Sequence, residues 1–318
     1  MKNYRWSILR RIFKYSSPFI SCFEKKFINK YGSITPKNNP VFIIGAPRTG
    51  STILYQMITN YFDVLYIDNL ISLARDNLYF GFWLSNKIFR DKPHNSYKSE
   101  YGNTSSEGLH APSEAGQFWY RWIPPGKIYL ESNDISDKKI NKVRNNIYSI
   151  INRYNKIFII KNNFTSQRLK LIKEVAPEAK FIFIKRNPLF AAQSIILTRQ
   201  SIYGEKNKWW SIKPRNYEEI KDLTYVEQVV KQIYYIEKQI VTDIKLFKQH
   251  NLLIVNYDEI LTQDILLEKI QNFIGEAPIR KSFVKTKIYF SEKQKVENDL
   301  FENLKKEVSK YDWENYTC

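Results

Sequence analysis

The sequence is short of the residues that build covalent and metal-held frameworks. It has two cysteines in 318 residues, Cys22 and Cys318, at opposite ends and in no CxxC pair. That spacing argues against a disulfide framework and against structural zinc. Three histidines are too few for a multi-histidine metal centre, and no metal is expected. No stretch approaches the ~18 consecutive apolar residues that cross a bilayer. Internal repeats and low-complexity linkers are absent. Acid is scarce: 32 Asp and Glu stand against 50 Lys and Arg, a formal net charge of +18. Such a balance suits acidic partners, whether nucleic acid, anionic lipid or a polyanionic substrate or cofactor. A coding bias toward Lys, Asn, Ile and Tyr accounts for part of that excess. What remains is a length that fits one large α/β domain or two small ones and can bury a full core.

The N-terminal stretch MKNYRWSILRRIFKYSSPFISCF is basic and apolar but interrupted at Ser16, Ser17 and Pro18. It has no clean apolar centre followed by a small-residue cleavage site, so a signal peptide is not expected. Two readings stand: an amphipathic helix resting on anionic membrane, or a first helix packing on the domain, which is preferred.

Four short apolar runs read as buried parallel strands: 41–45, 156–161, 180–185 and 252–257. Continuous apolarity of this kind belongs to strands covered on both faces. Helical periodicity fills the intervals at 52–61, 137–154, 165–174, 189–200 and 222–248. Strands alternating with helices predict an α/β fold, three layers with a central parallel sheet flanked by helices. Two long segments, 91–112 and 201–217, fit no element. Such loops are often lids or binding loops.

The stretch PVFIIGAPRTGST resembles a phosphate-binding P-loop, with Gly45 and Gly50 separated by four residues at the end of a strand. Lys normally follows the second Gly; here that place holds Ser51. Glycines at 45 and 50 let successive backbone N–H groups converge on an anion. The helix that follows adds its positive N-terminal end. Thr49, Ser51 and Thr52 line the same turn, and Arg48 brings a guanidinium that forks onto phosphate or sulfate oxygens. A second constellation follows the third strand. In KFIFIKRNPLFAAQS, Arg186 closes the strand and Ser194 lies eight residues on, with Pro188 at the helix start. Together Arg186 and Ser194 can clamp a second phosphate at the sheet edge where ligands bind in such folds. Two separated anion sites fit a donor with two separated phosphates better than a triphosphate.

With both constellations in view, the sequence resembles the sulfotransferases that use 3′-phosphoadenosine 5′-phosphosulfate (PAPS). GAPRTGST resembles that family's 5′-phosphosulfate loop, IKRNPLFAAQS its 3′-phosphate segment, and VNYDEILTQDILLEKIQNFIG its late block. The blocks run in the family's order over roughly residues 40 to 275. The resemblance implies a P-loop NTPase-like fold, PAPS as co-substrate and no metal. It divides the chain into a basic helical extension, 1–39, and one sulfotransferase-like P-loop domain, 40–318. It is strongest for the bacterial and Golgi-type carbohydrate and tyrosylprotein enzymes. The cytosolic small-molecule type carries Lys-Thr-His after its second strand. Here the segment reads KNN, so Lys161 matches the lysine and Asn163 stands where that type has its catalytic histidine.

In such a reaction Arg48 and Lys161 would stabilise the leaving phosphate oxygen. Arg186 and Ser194 would fix the nucleotide, and Tyr257 either approaches it or is a core tyrosine. Three residues compete for the base that deprotonates the acceptor. Glu114, read as the opening of a helix capped by Pro112 and Ser113, is preferred. Asp68 comes next; it lies near where Golgi-type and tyrosylprotein relatives carry a catalytic Glu, though Asn69 is the alternative equivalent. His110 is third, with an ordinary pKa suited to the task. The aromatic runs Phe118, Trp119, Tyr120, Trp122 and Trp209, Trp210 offer stacking surfaces. With the resemblance they suggest a carbohydrate acceptor, a cell-surface glycan or its precursor. The expected setting is cytoplasmic, with peripheral contact at the inner membrane face through the basic N-terminus; nucleic acid is not expected as a partner. The rival readings are a P-loop kinase or NTPase, and a non-catalytic basic protein that binds nucleotide or membrane.

Overall fold

The four apolar runs form a single parallel sheet: β1 (Val41–Ile44), β2 (Ile159–Lys161), β3 (Lys180–Lys185) and β4 (Leu252–Asn256), in the order β2-β1-β3-β4. The computed structural model describes residues 2–124, 126–283, 285, 288 and 292–316; the side chains of residues 2–7, Gln117 and Ser132 fall outside that description, as does Cys318.

Alternation along each strand builds the two cores. Phe42 and Ile44 of β1, with Phe181 and Phe183 of β3, face one helical layer. Val41 and Ile43, with Ile182 and Ile184, face the other. All eight are essentially inaccessible, and each such side chain contributes about 1.5–3 kcal/mol by burial. The larger layer holds α4 (Leu78–Phe89), α6 (Asp137–Tyr154), α7 (Leu169–Val175), α8 (Pro188–Tyr203), α10 (Tyr225–Asp243) and α12 (Asn298–Val308). The smaller holds α2 (Ser51–Tyr61) and α11 (Gln263–Ile274). Short helices α3 (Asn69–Leu73), α5 (Gly116–Tyr120) and α9 (Tyr217–Ile220) punctuate the connections. Helix α1 (Lys2–Gly32) packs along α6 and α4.

Local chemistry sets the boundaries. Pro188 occupies the first turn of α8, where its missing N–H is harmless, and the Asn187 side chain accepts from Leu189 N at 3.0 Å. Thr224 and Glu227 form a reciprocal capping box that starts α10. Three segments differ from the sequence pattern. The helix expected at 165–174 divides into a 3₁₀ turn, Asn163–Gln167, and α7. The helix expected from Glu114 begins only at Gly116, because Ala115 takes a left-handed conformation with φ 47°. Helix α1 runs through Ser16, Ser17 and Pro18 without a break.

The connectivity creates one crevice. From β1 the chain moves outward to β2, then crosses back to β3 on the other side of β1. The C-terminal ends of β1 and β3 therefore diverge at a topological switch point, where open α/β sheets bind their ligands. Strand register sets Lys161, the last residue of β2, beside Ile43, and Ile44 beside Phe183.

Candidate active site

The turn after β1 is held from beneath. Ser166, on the 3₁₀ turn after β2, accepts from Gly45 N at 3.1 Å and donates to Gly45 O at 3.0 Å. A side chain at Gly45 would bring its Cβ to 2.6 Å from Ile184 O. Thr49 is fully buried and donates its hydroxyl to Ala46 O at 2.9 Å, so it braces the turn rather than facing a ligand. Arg48 and Gly50 adopt φ of 67° and 93°. At Gly50 a Cβ would lie 2.5 Å from the Tyr257 ring. Glycine is thus required there both by conformation and by the tyrosine.

The two candidate anion sites adjoin one another. Arg186 Nη1 donates to the Arg48 carbonyl at 3.0 Å, and Arg48 Nε donates to Ser194 Oγ at 2.8 Å. The Arg186 guanidinium stacks 4.3 Å over Tyr257. Arg186 Nε also donates to the Glu292 carboxylate at 3.2 Å. Arg48 pairs with no carboxylate among the described residues. Burial first, and the charge of Arg186 second, press its guanidinium below the ordinary arginine range. An anionic ligand relieves both pressures. Arg48 thus carries a charge that a bound anion would offset, whereas Arg186 already has the Glu292 carboxylate beside it.

Beside this pair stands a lysine–carboxylate couple. Lys161 points from the end of β2 toward α2, where its ammonium donates to Thr52 Oγ1 at 3.1 Å and pairs with Glu114 Oε1. The lysine side chain is 1% exposed and the glutamate 27%. The second carboxylate oxygen of Glu114 accepts from Asn163 N at 3.2 Å, and its backbone carbonyl accepts from Asn162 Nδ2 at 3.0 Å. The KNN segment therefore positions Glu114 through its backbone and its first asparagine. The 91–112 segment closes over this couple at Gly102, where a Cβ would meet Thr52 Oγ1 at 3.4 Å and Glu114 Oε1 at 3.6 Å. Tyr101 lies over Arg48 with 6.0 Å from guanidinium to ring centre, and its hydroxyl bonds to Ser201 of α8. Beside that bridge opens a cleft lined by Glu100, Tyr101, Asn103, Ser201, Ile202 and Trp210.

Asp68 and His110 lie in a different environment. Asp68 caps α3, accepting from Ile71 N at 2.7 Å and from Ser85 Oγ at 2.5 Å. It is almost completely buried, and that desolvation pushes its carboxyl up to about 7. His110 stacks 4.0 Å from Phe89, and its Nε2 shares a 2.8 Å hydrogen bond with the Tyr66 hydroxyl. Desolvation, then the charge of Arg280, lowers His110 to about 4. Both residues line a separate small cavity, with Tyr66, Phe82 and Arg280 among its other walls. Neither has a hydrogen bond or ion pair to the phosphate turn among the described contacts. The aromatic run also divides. Phe118, Trp119 and Trp122 belong to the large core, and only Tyr120 is exposed.

A family model described as "Sulfotransferase family" matches residues 40–277. The chain belongs to the sulfotransferase family. Among its relatives is the omega-hydroxy-beta-dihydromenaquinone-9 sulfotransferase Stf3 of Mycobacterium bovis, 26% identical over 181 residues, 52% of this chain and 46% of that protein. Stf3 of Mycobacterium tuberculosis matches with the same figures. The chain thus spans about half the length of the curated relatives it matches. The solved sulfotransferase STF9 of Mycobacterium avium shares the fold, with a TM-score of 0.50 at 12% identity over 87% of this chain and 69% of that one. The candidate site also brings in residues that the sequence did not single out. Ser166 and Asn162 lie in NNFTS directly after a strand, a position that could have flagged them; Tyr101 and Glu292 carry no local signal.

Proposed function

We propose that this chain transfers a sulfuryl group from PAPS to an acceptor hydroxyl. The observation that carries the proposal is the convergence of Lys161, Glu114 and Thr52 beside the Arg48–Arg186–Ser194 cluster. Arg186 and Ser194 would hold the 3′-phosphate, fixing the register of the nucleotide. Arg48, Lys161 and the backbone N–H groups of the turn would face the 5′-phosphosulfate. In transfer, the acceptor oxygen bonds to sulfur as the bond from sulfur to the 5′-phosphate oxygen breaks. Negative charge then grows on that phosphate oxygen, where Lys161 and Arg48 stabilise it. The acceptor proton passes to Glu114, which pairs with Lys161 beside Thr52 and is partly open to solvent. Engagement of Lys161 by the donor would release Glu114 from its ion pair and leave it free to accept.

For the acceptor, two readings have support. A carbohydrate is favoured by the open cleft flanked by Tyr101 and Trp210, rings that suit sugar faces. A hydroxylated isoprenoid lipid is favoured by the name of the relative Stf3. The test is incubation with ³⁵S-labelled PAPS and a panel of glycans, prenyl alcohols and phenols. Label on any hydroxyl acceptor, lost in Glu114→Gln, supports the proposal, and the labelled class decides between the readings. No transfer to any acceptor, with Mg²⁺-dependent hydrolysis of ATP instead, would overturn it in favour of an NTPase.

A further inference from the structure

Helix α1 leaves one face uncovered by the described residues. Its inward face is spent on the domain: Phe13 meets Phe80 of α4 edge-on at 6.3 Å, and Glu24 accepts from Asn77 Nδ2 at 3.0 Å and Phe80 N at 3.0 Å. On the outer side Ile8, Ile12, Tyr15, Phe19 and Phe23 are all exposed, and Phe27, also exposed, stacks on Tyr79 of α4 at 5.2 Å at the edge of that side. Their spacing of three and four residues aligns them in one stripe down the helix. Phe19 and Phe23 are each 76% exposed, and so many bare rings in line are unusual on a soluble surface. Helix α4, next to α1, carries a further exposed ring, Trp83, 46% exposed and stacked on Phe80.

Charge indicates the occupant. Arg10, Arg11, Lys14, Lys25, Lys26 and Lys30 are exposed along the same helix. Its one acid among residues 8–32, Glu24, is turned inward and buried. Two copies meeting through this face would bring like charges together, whereas an anionic surface would neutralise them. No described helix is long and apolar enough to cross a membrane. We infer that the α1–α4 face is a docking surface for an anionic lipid bilayer, with α1 lying in the plane of the interface and its rings entering the headgroup layer. The inference is independent of the chemistry at the phosphate turn.

The experiment is flotation of the full chain with liposomes of pure phosphatidylcholine and of phosphatidylcholine with 30 mol% phosphatidylglycerol. Partitioning onto the anionic vesicles should exceed that onto neutral ones by at least about tenfold and fall as salt rises. Phe19→Asp/Phe23→Asp should abolish it, and Lys25→Glu/Lys26→Glu should weaken it several-fold. Both variants alter exposed side chains, so their melting temperatures should match the parent; the charge variant carries the test if the first misfolds. Equal partitioning onto both vesicles would overturn the inference, as would binding unaffected by either variant. So would a dimer in solution that Phe19→Asp/Phe23→Asp dissociates while the parent ignores vesicles.

Discussion

Asp68 follows the P-loop helix closely in sequence and Glu114 lies far along the chain, and their surroundings give these two carboxylates opposite characters. Glu114 has an ammonium on one oxygen and a backbone N–H on the other, and a quarter of its side chain reaches solvent. Asp68 has a helix N-terminus and one hydroxyl, no ion pair among the described residues, and almost no solvent. The first has a partner that an incoming anion can draw away. The second is committed to holding α3 to α4, and its charge is opposed by burial near neutral pH. Proximity along the chain therefore says little about which acid can take a proton; the neighbouring charge and the route to solvent decide it.

The sharpest way to break this contrast is to neutralise each acid in turn. Glu114→Gln should lower turnover by about 10²–10⁴ while 3′,5′-ADP binding stays within about threefold, because general-base catalysis is worth that much. Asp68→Asn should change turnover by less than about threefold. The reverse order in steady-state rates would transfer the role of base to Asp68. Next in size, Lys161→Ala should cost about 10²–10³ in turnover through lost stabilisation of the leaving oxygen. It should also lower the melting temperature, because the lysine is buried and its carboxylate partner is left alone. A variant that melts like the parent would show that the pair contributes nothing to the fold.

Gly50→Ala tests the turn itself. Its φ of 93° and the Tyr257 ring at 2.5 Å from the added Cβ should cost about 1–3 kcal/mol in strain and weaken nucleotide binding about tenfold or more. Calorimetry with 3′,5′-ADP reads the second effect, and unchanged affinity would mean that the turn does not hold the nucleotide. The subtlest effect lies in stability against pH. The folded Asp68 carboxyl sits at about 7, above its ordinary value of 3.8. Its contribution is therefore fully present below about pH 4 and is lost as pH rises through 7, a difference on the order of 4 kcal/mol. Glu237, buried and also raised to about 7, has the same sign. His94 and His110, lowered to about 3 and 4, have the opposite sign and cost stability as pH falls below about 6.5. Asp68→Asn should thus flatten part of the decline between pH 4 and 7 in denaturant melts, with identical slopes counting against its buried charge.

Much of the fold was legible because it rests on local signals. All four apolar runs form strands, but β4 lies at the sheet edge and leaves Ile254 47% exposed rather than covered on both faces, and the Gly45–Gly50 turn and the Arg186-Asn187-Pro188 segment each carry their chemistry within a few residues. The sequence leaves α1 open to packing on the domain or resting on a membrane, and its bare outer stripe is defined by α4 and α6 filling the other side. The site was legible where one element supplies it and opaque where several meet. Nothing local links Glu114 to Lys161, 47 residues apart in sequence, or turns Asp68 toward Ser85. The helix read from Glu114 failed because Ala115 takes a left-handed turn, and that turn frees Glu114 from α5 to reach the lysine. The aromatic run after it resembled a binding surface, yet three of its four rings fill the core. Composition alone cannot separate those two uses of tryptophan and phenylalanine.

The most direct test of the account is a calorimetric comparison of 3′,5′-ADP with 5′-AMP, in EDTA, for the parent chain and for Arg186→Ala. The account predicts that the parent binds the bisphosphate at least about tenfold more tightly, through charge-assisted contacts to the second phosphate, and that Arg186→Ala removes most of that preference. Equal affinity of the parent for the two nucleotides, or binding that appears only with Mg²⁺ and ATP, would contradict it.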